Sequence, residues 1–116
     1  MRHNWVIVGH TLAGPIALDV LIKEGGSVGP TVVFVSGIHG NELSSVRGVV
    51  EFWQELETYV ADTDLCGNIV AIPFANPLAL SNNVRCFKSS DTSGYEDLNR
   101  NFKEHRAESF GHQLAK

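Results

Sequence analysis

His39 and Glu42 stand three residues apart in Gly37-Ile38-His39-Gly40-Asn41-Glu42. They form an imidazole–carboxylate pair that can reach one metal ion. Further along come Arg85 and the polar run Asp97-Leu98-Asn99-Arg100-Asn101-Phe102. A metal at the first pair would polarise a carbonyl and make a water more acidic. An arginine beside it would stabilise the oxygen charge that develops during acyl transfer. A second arginine with a neighbouring asparagine would hold a substrate carboxylate by a charge-assisted fork. Each feature has a plainer account. The first stretch is also a Gly-rich turn with Asn41 as helix N-cap and Glu42 favoured near the positive helix end. Arg85 is also a solvated loop cation, and Asp97 caps a turn and pairs with Arg100. Taken separately the plainer accounts suffice; taken jointly they become strained.

The elements around these residues place them where ligands bind. Thr31 to Val35 is an apolar run rich in β-branched residues, which predicts a buried strand ending at about Ser36. From Asn41 to Val60, apolar residues recur at Leu43, Val46, Val49, Val50, Trp53, Leu56 and Val60, the spacing of an amphipathic helix. Trp53 and Phe52 are expected to pack in the core, and Glu51, Glu55 and Glu57 to form a solvated face. His39 and Glu42 therefore fall where a strand ends and a helix begins, the usual ligand crevice of α/β sheets. Gly37 and Gly40 let the backbone turn tightly there and leave room for a substrate.

Upstream, Asn4 to Gly9 and Ile16 to Ile22 read as two strands joined by a turn, with Ile16, Leu18, Val20 and Ile22 on one face. Gly25-Gly26-Ser27 and Gly29-Pro30 mark a loop. Downstream, Asn68 to Phe74 after Gly67 reads as a fourth strand, parallel to the third through the helix. Ala75-Asn76-Pro77 stops it. Leu78 to Phe102 lacks clear periodicity, and so long a stretch inside a compact chain signals a functional loop. Glu104 to Lys116 reads as a polar helix with a thin apolar face. The expected architecture is α/β, one domain over 1–116: a mixed sheet with parallel central strands and flanking helices.

Composition narrows the function classes. The 116 residues are 43% hydrophobic and 19% charged, as in an ordinary globular domain. A net charge of −4 gives no general attraction to nucleic acid or an anionic membrane. Cys66 and Cys86 lack CxxC spacing and are expected as reduced thiols. Gly9, His10, Gly14, Pro15 and Asp19 interrupt the apolar N-terminus, so neither a signal peptide nor a membrane span is expected. The expected location is cytoplasmic.

Gly37-Ile38-His39-Gly40-Asn41-Glu42, Ala75-Asn76-Pro77-x-Ala79, Arg85 and Asp97-Leu98-Asn99-Arg100-Asn101-Phe102 occur in the order seen in zinc carboxypeptidase-like deacylases. Over roughly Gly29 to Phe102 the chain resembles the succinylglutamate desuccinylase/aspartoacylase group of that family. The resemblance implies Zn2+ held by His39 and Glu42, with Arg85 polarising the scissile carbonyl. It implies substrate-carboxylate binding by Asn99 and Arg100. Family members take a third zinc ligand, a histidine, and a catalytic glutamate from positions beyond Lys116, so the chain reads as the N-terminal part of the fold. His105 and His112 are the local candidates for a third ligand. In a helical tail they would lie about 10 Å apart along the axis, so both cannot bind one ion. The implied activity is hydrolysis of the amide bond of an N-acyl amino acid or similar small carboxylate. The alternatives are a metallocarboxypeptidase trimming C-terminal residues of peptides, and a non-catalytic binding or assembly module. The last would cover its open surface by a partner or by self-association as a homo-oligomer.

Overall fold

The computed structural model describes residues 2–88 and 95–102. Two long strands, β1 (Arg2–Thr11) and β2 (Gly14–Glu24), form an antiparallel hairpin. A third strand, β3 (Ser27–Val35), leads through α1 (Leu43–Tyr59) to β4 (Cys66–Ile72), which pairs parallel to it. The sheet order is β1-β2-β4-β3, with β2 antiparallel to β4. The antiparallel start and the parallel strand–helix–strand unit thus match the alternation and periodicity read from the sequence. All three opening strands run longer than their apolar cores, because polar residues and glycines at their ends also pair.

Two expectations are corrected. Gly29-Pro30 is not a loop but lies within β3, and Gly67 lies within β4. The parallel pairing of the two strands has a register irregularity there, between Ser27 and Thr31. Gly67 has φ +84°, and a Cβ on it would stand 2.0 Å from the Pro30 carbonyl oxygen. Glycine here serves close backbone approach within a sheet, not a turn. The second correction concerns β3, which is an edge strand of the sheet formed by the described residues, with Val33 54% exposed and Val35 45%. Its β-branched run reports strand propensity, whereas burial depends on what lies alongside.

One sheet face carries α1. Trp53 and Leu56 are buried against Ala71 of β4, joined by Leu21, Phe34, Val49, Phe52, Val60 and Ile69. The Phe34 and Phe52 rings meet at 4.9 Å between centroids. Core roles for Trp53 and Phe52 are therefore observed. Glu51 lies on the outer face, paired with Arg47, but Glu57 accepts a hydrogen bond from the Trp53 indole. The helix begins at Leu43 with Glu42, not Asn41, at its N-cap position, and no side chain caps it. The Glu42 carboxylate is engaged elsewhere.

On the other face, Ile16 and Leu18 of β2 are buried with Ala75 and Leu98, and with Val8, Ile38, Ile72 and Leu78 beside them. This second core is closed by the short helix α2 (Pro77–Ser81) and by a 3-10 turn at Leu98–Arg100. It pins the polar run 97–102 against the strand ends. A two-stranded ribbon, β5 (Phe87–Lys88) with β6 (Tyr95–Glu96), joins α2 to that turn. The expected tail helix from Glu104, with His105 and His112, lies outside the described residues. Cys66 and Cys86 are both free. Among the described residues no helix is long and apolar enough to cross a membrane.

Candidate metal centre

The loop between β3 and α1 carries His39 and Glu42. Ser36 continues the ladder, its N–H donating to Ile72 O and its hydroxyl to Pro73 O. Gly37 then turns the chain at φ +65°. His39 is buried, 7% exposed, at the carboxyl end of the strand pair where the sequence placed it. Gly40, however, leaves no open room for a substrate: the space of its missing Cβ is filled by the backbone of Ala79.

Both ring nitrogens of His39 are engaged. Nδ1 lies 3.1 Å from Glu42 Oε1, and Nε2 lies 2.9 Å from Asp97 Oδ1. The ring thus presents one nitrogen to each carboxylate, Nδ1 to Glu42 and Nε2 to Asp97. A ligating histidine is oriented in this way, with a carboxylate behind it fixing tautomer and direction. Asp97 is held in turn by accepting from Asn99 N–H at 2.9 Å, which caps the 3-10 turn. The turn-capping account of Asp97 is thus correct. Its side-chain partner, however, is His39 and not Arg100.

Arg85, read from the sequence as a candidate catalytic cation, reaches the same place. Its Nη1 donates to Glu42 Oε1 at 2.6 Å, while its side chain remains 54% exposed. Glu42 Oε1 is thus shared by the His39 ring and the Arg85 guanidinium. The hydrogen bond to His39 holds the Glu42 carboxyl below its usual pKa, with burial opposing and Arg85 adding to the effect. The His39 hydrogen bond likewise lowers Asp97, against burial and with help from the Asn99 N–H. Cys86, next to Arg85, is pushed up by burial and then by the Asp97 charge, which leaves it a poor thiolate ligand or nucleophile.

Asn99 and Arg100 lie exposed on the turn after Asp97. Arg100 Nη1 donates to Asn99 O at 3.2 Å, and among the described residues neither side chain bonds to His39, Glu42 or Arg85. Fold and chain therefore bring together His39, Glu42, Arg85 and Asp97, and set Asn99 and Arg100 beside them. Asp97 is the site residue that sequence reasoning placed only as a cap. Its signal was an acidic side chain opening the 97–102 run, but its distance from His39 in the chain hid the pairing.

The donors suit zinc: a borderline nitrogen and a carboxylate oxygen converge, and the second ring nitrogen is satisfied behind them. Among the described residues no group of three His, Cys, Asp or Glu side chains converges to hold an ion. A catalytic zinc ordinarily takes three protein ligands, so His39 and Glu42 alone would not complete such a set.

No curated protein sequence gives a significant match. Among solved structures, a succinylglutamate desuccinylase/aspartoacylase family protein from Shewanella amazonensis is 27% identical with TM-score 0.70, covering 91% of this chain and 29% of its own. A succinylglutamate desuccinylase/aspartoacylase from Rhodobacter sphaeroides superposes with TM-score 0.77 at 20% identity, covering 98% of this chain and 33% of its own. Carboxypeptidase A from Helicoverpa armigera shares the fold at TM-score 0.68 and 20% identity, over 90% of this chain and 30% of its own. The chain thus spans about a third of the length of the structures it matches. The family model of the succinylglutamate desuccinylase/aspartoacylase catalytic domain matches residues 28–115, which include every site residue described above. This chain belongs to the succinylglutamate desuccinylase/aspartoacylase family and carries the first part of its carboxypeptidase-like catalytic fold.

Proposed function

We propose that the chain supplies the nucleus of a zinc-dependent hydrolase that cleaves the amide bond of an N-acyl amino acid or a similar small carboxylate. The observation that carries this reading is the relay from Asp97 through the His39 ring to Glu42, a carboxylate-oriented imidazole facing a second carboxylate. In it, His39 Nδ1 and the Glu42 carboxylate hold Zn2+. The bound metal supplies Lewis acidity toward a carbonyl and a water. Asp97 keeps the His39 proton on Nε2 and the ring pointed. Arg85, half-exposed and bonded to Glu42, would turn its guanidinium to the scissile carbonyl oxygen and stabilise the charge developing there. Asn99 and Arg100, on the rim beside Asp97, bind the substrate carboxylate. Family membership supports deacylation over peptide trimming, since the likeness to carboxypeptidase A is one of fold.

Elemental analysis of zinc in the purified protein and in His39→Ala tests the metal. Hydrolysis of N-succinylglutamate and N-acetylaspartate by the complete polypeptide tests the chemistry. One zinc per chain, absent from the variant, together with release of the free amino acid supports the reading. Zinc content unchanged in His39→Ala would remove His39 as a ligand. Cleavage of C-terminal peptide bonds without deacylation would replace the substrate class.

A further inference from the structure

Ala75-Asn76-Pro77-x-Ala79 has no part in the chemistry above, yet the loop bearing His39 is built onto it. The Ala75 N–H donates to Ser36 O at 2.9 Å, the Asn76 N–H to Gly37 O at 2.9 Å, and the Asn76 side-chain Nδ2 to Ile38 O at 3.3 Å. Three successive carbonyls, ending at the residue before His39, therefore terminate on this segment. The Asn76 Oδ1 meanwhile accepts from the Ala79 N–H at 3.1 Å and caps α2. On the other side of His39, Gly40 lies so close to α2 that a Cβ on it would stand 2.0 Å from the Ala79 carbonyl. His39 is thus strung between two points fixed on the same segment, neither of which touches its ring.

Asn76 is 3% exposed, and both ends of its amide are used. A buried amide is tolerated when its donors and acceptor find partners. Serine or aspartate at this position could still cap α2. A carboxylate has no donor for Ile38 O, and a serine hydroxyl is too short to serve both groups. The helix end therefore does not by itself require asparagine; the loop does.

We infer that Asn76 is a positioning residue for His39, tying the β3–α1 loop to the α2 cap so that the imidazole stands between Asp97 and Glu42. Its effect on metal affinity rests on the zinc reading above; its effect on the ring does not. The test compares Asn76→Ser, which keeps the cap and loses the donation to Ile38 O, with Asn82→Ala. The latter removes a 2.8 Å bond from Asn82 Nδ2 to Leu78 O at the far end of α2 and leaves the 36–40 loop alone. Histidine ring ¹⁵N spectra are recorded without metal, and Co2+ affinity is measured by titration. In Asn76→Ser the His39 ring nitrogens should move toward the averaged signals of a free imidazole, and Co2+ affinity should fall about tenfold, as for loss of other outer-shell supports. Asn82→Ala should change neither. Gly40→Ala, which pushes on the other side of His39, should reproduce both changes. Wild-type ring signals in a folded Asn76→Ser protein would overturn the inference, as would an equal change in Asn82→Ala. If Asn76→Ser does not fold, Asn76→Asp, with nearly the same shape, is read in its place. A wild-type protein that binds no Co2+ would defeat the metal reading, while the ring spectra would still decide the role of Asn76.

Discussion

His39 Nε2 and Asp97 Oδ1 meet at 2.9 Å across a separation of 58 residues. The contact joins the β3–α1 loop to the polar run that Leu98 anchors in the second core. It also fixes the direction in which the imidazole faces. Asp97→Asn keeps an oxygen for the Asn99 N–H but replaces a charged acceptor of the His39 proton with a neutral one. Zinc affinity of the complete polypeptide should fall about 10- to 100-fold. Competition against a chromophoric chelator measures it, with far-UV circular dichroism unchanged. Equal affinity would leave Asp97 as a turn cap only.

Arg85 and Arg100 are separable by kinetics. Arg85 bonds Glu42 at the site, so Arg85→Ala in the complete enzyme should lower kcat, by about 10²- to 10³-fold if it stabilises the developing oxyanion. Arg100 stands on the rim with its guanidinium on Asn99 O, so Arg100→Ala should raise KM for carboxylate substrates and leave zinc content unchanged. An unaltered KM in that variant would take Arg100 out of the binding role.

Much of this was readable along the chain, because local spacing dictated it. The helical stripe from Leu43, the strand before Ser36 and the glycines around His39 placed a histidine and a glutamate at one strand–helix junction. What sequence did not show were facts of distance and neighbourhood. Asp97 looked like a cap because its bonds to Asn99, Arg100 and Asn101 are local, whereas its bond to His39 is not. Gly29 looked like loop punctuation because glycine at a close strand pairing and glycine in a turn are the same letter. Thr31 to Val35 looked buried because β-branched residues serve edge and centre alike. The Gly40–Ala79 contact joins two motifs that appear unrelated until α2 folds against the loop.

Leu98 links core to site. It is 1% exposed, packed with Ile16, Leu18 and Ala75, and it immediately follows Asp97. Leu98→Ala should cost about 2–5 kcal/mol of stability by the lost burial and the cavity left behind. Urea denaturation would show this as a lower midpoint with an unchanged slope. Because the cavity lies under the Asp97 turn, the variant should also bind zinc more weakly than Leu56→Ala, a substitution of similar burial in the α1 core. Equal zinc affinity in the two would show that the turn holds its place without Leu98.

Far from the site, Lys23 is 5% exposed in β2 and donates to Asp62 Oδ1 at 2.8 Å. That bond holds the Asp62 carboxyl below its ordinary pKa, with the charge of the same ammonium adding and burial opposing. Asp62 thus remains ionised in the folded chain at pH values where it would be protonated in the unfolded one. The stabilisation is complete above about pH 4, the unfolded range of an aspartate, and is lost as pH falls through the depressed folded value. Asp62→Asn should therefore lower Tm at neutral pH, and the gap to wild type should close as the solution is acidified. The variant leaves the buried ammonium without its anion, the costly way to break such a pair, so Lys23→Met/Asp62→Asn should recover much of the lost Tm. A gap that stays constant from neutral pH to acid would show that the stability difference does not arise from the ionised carboxylate.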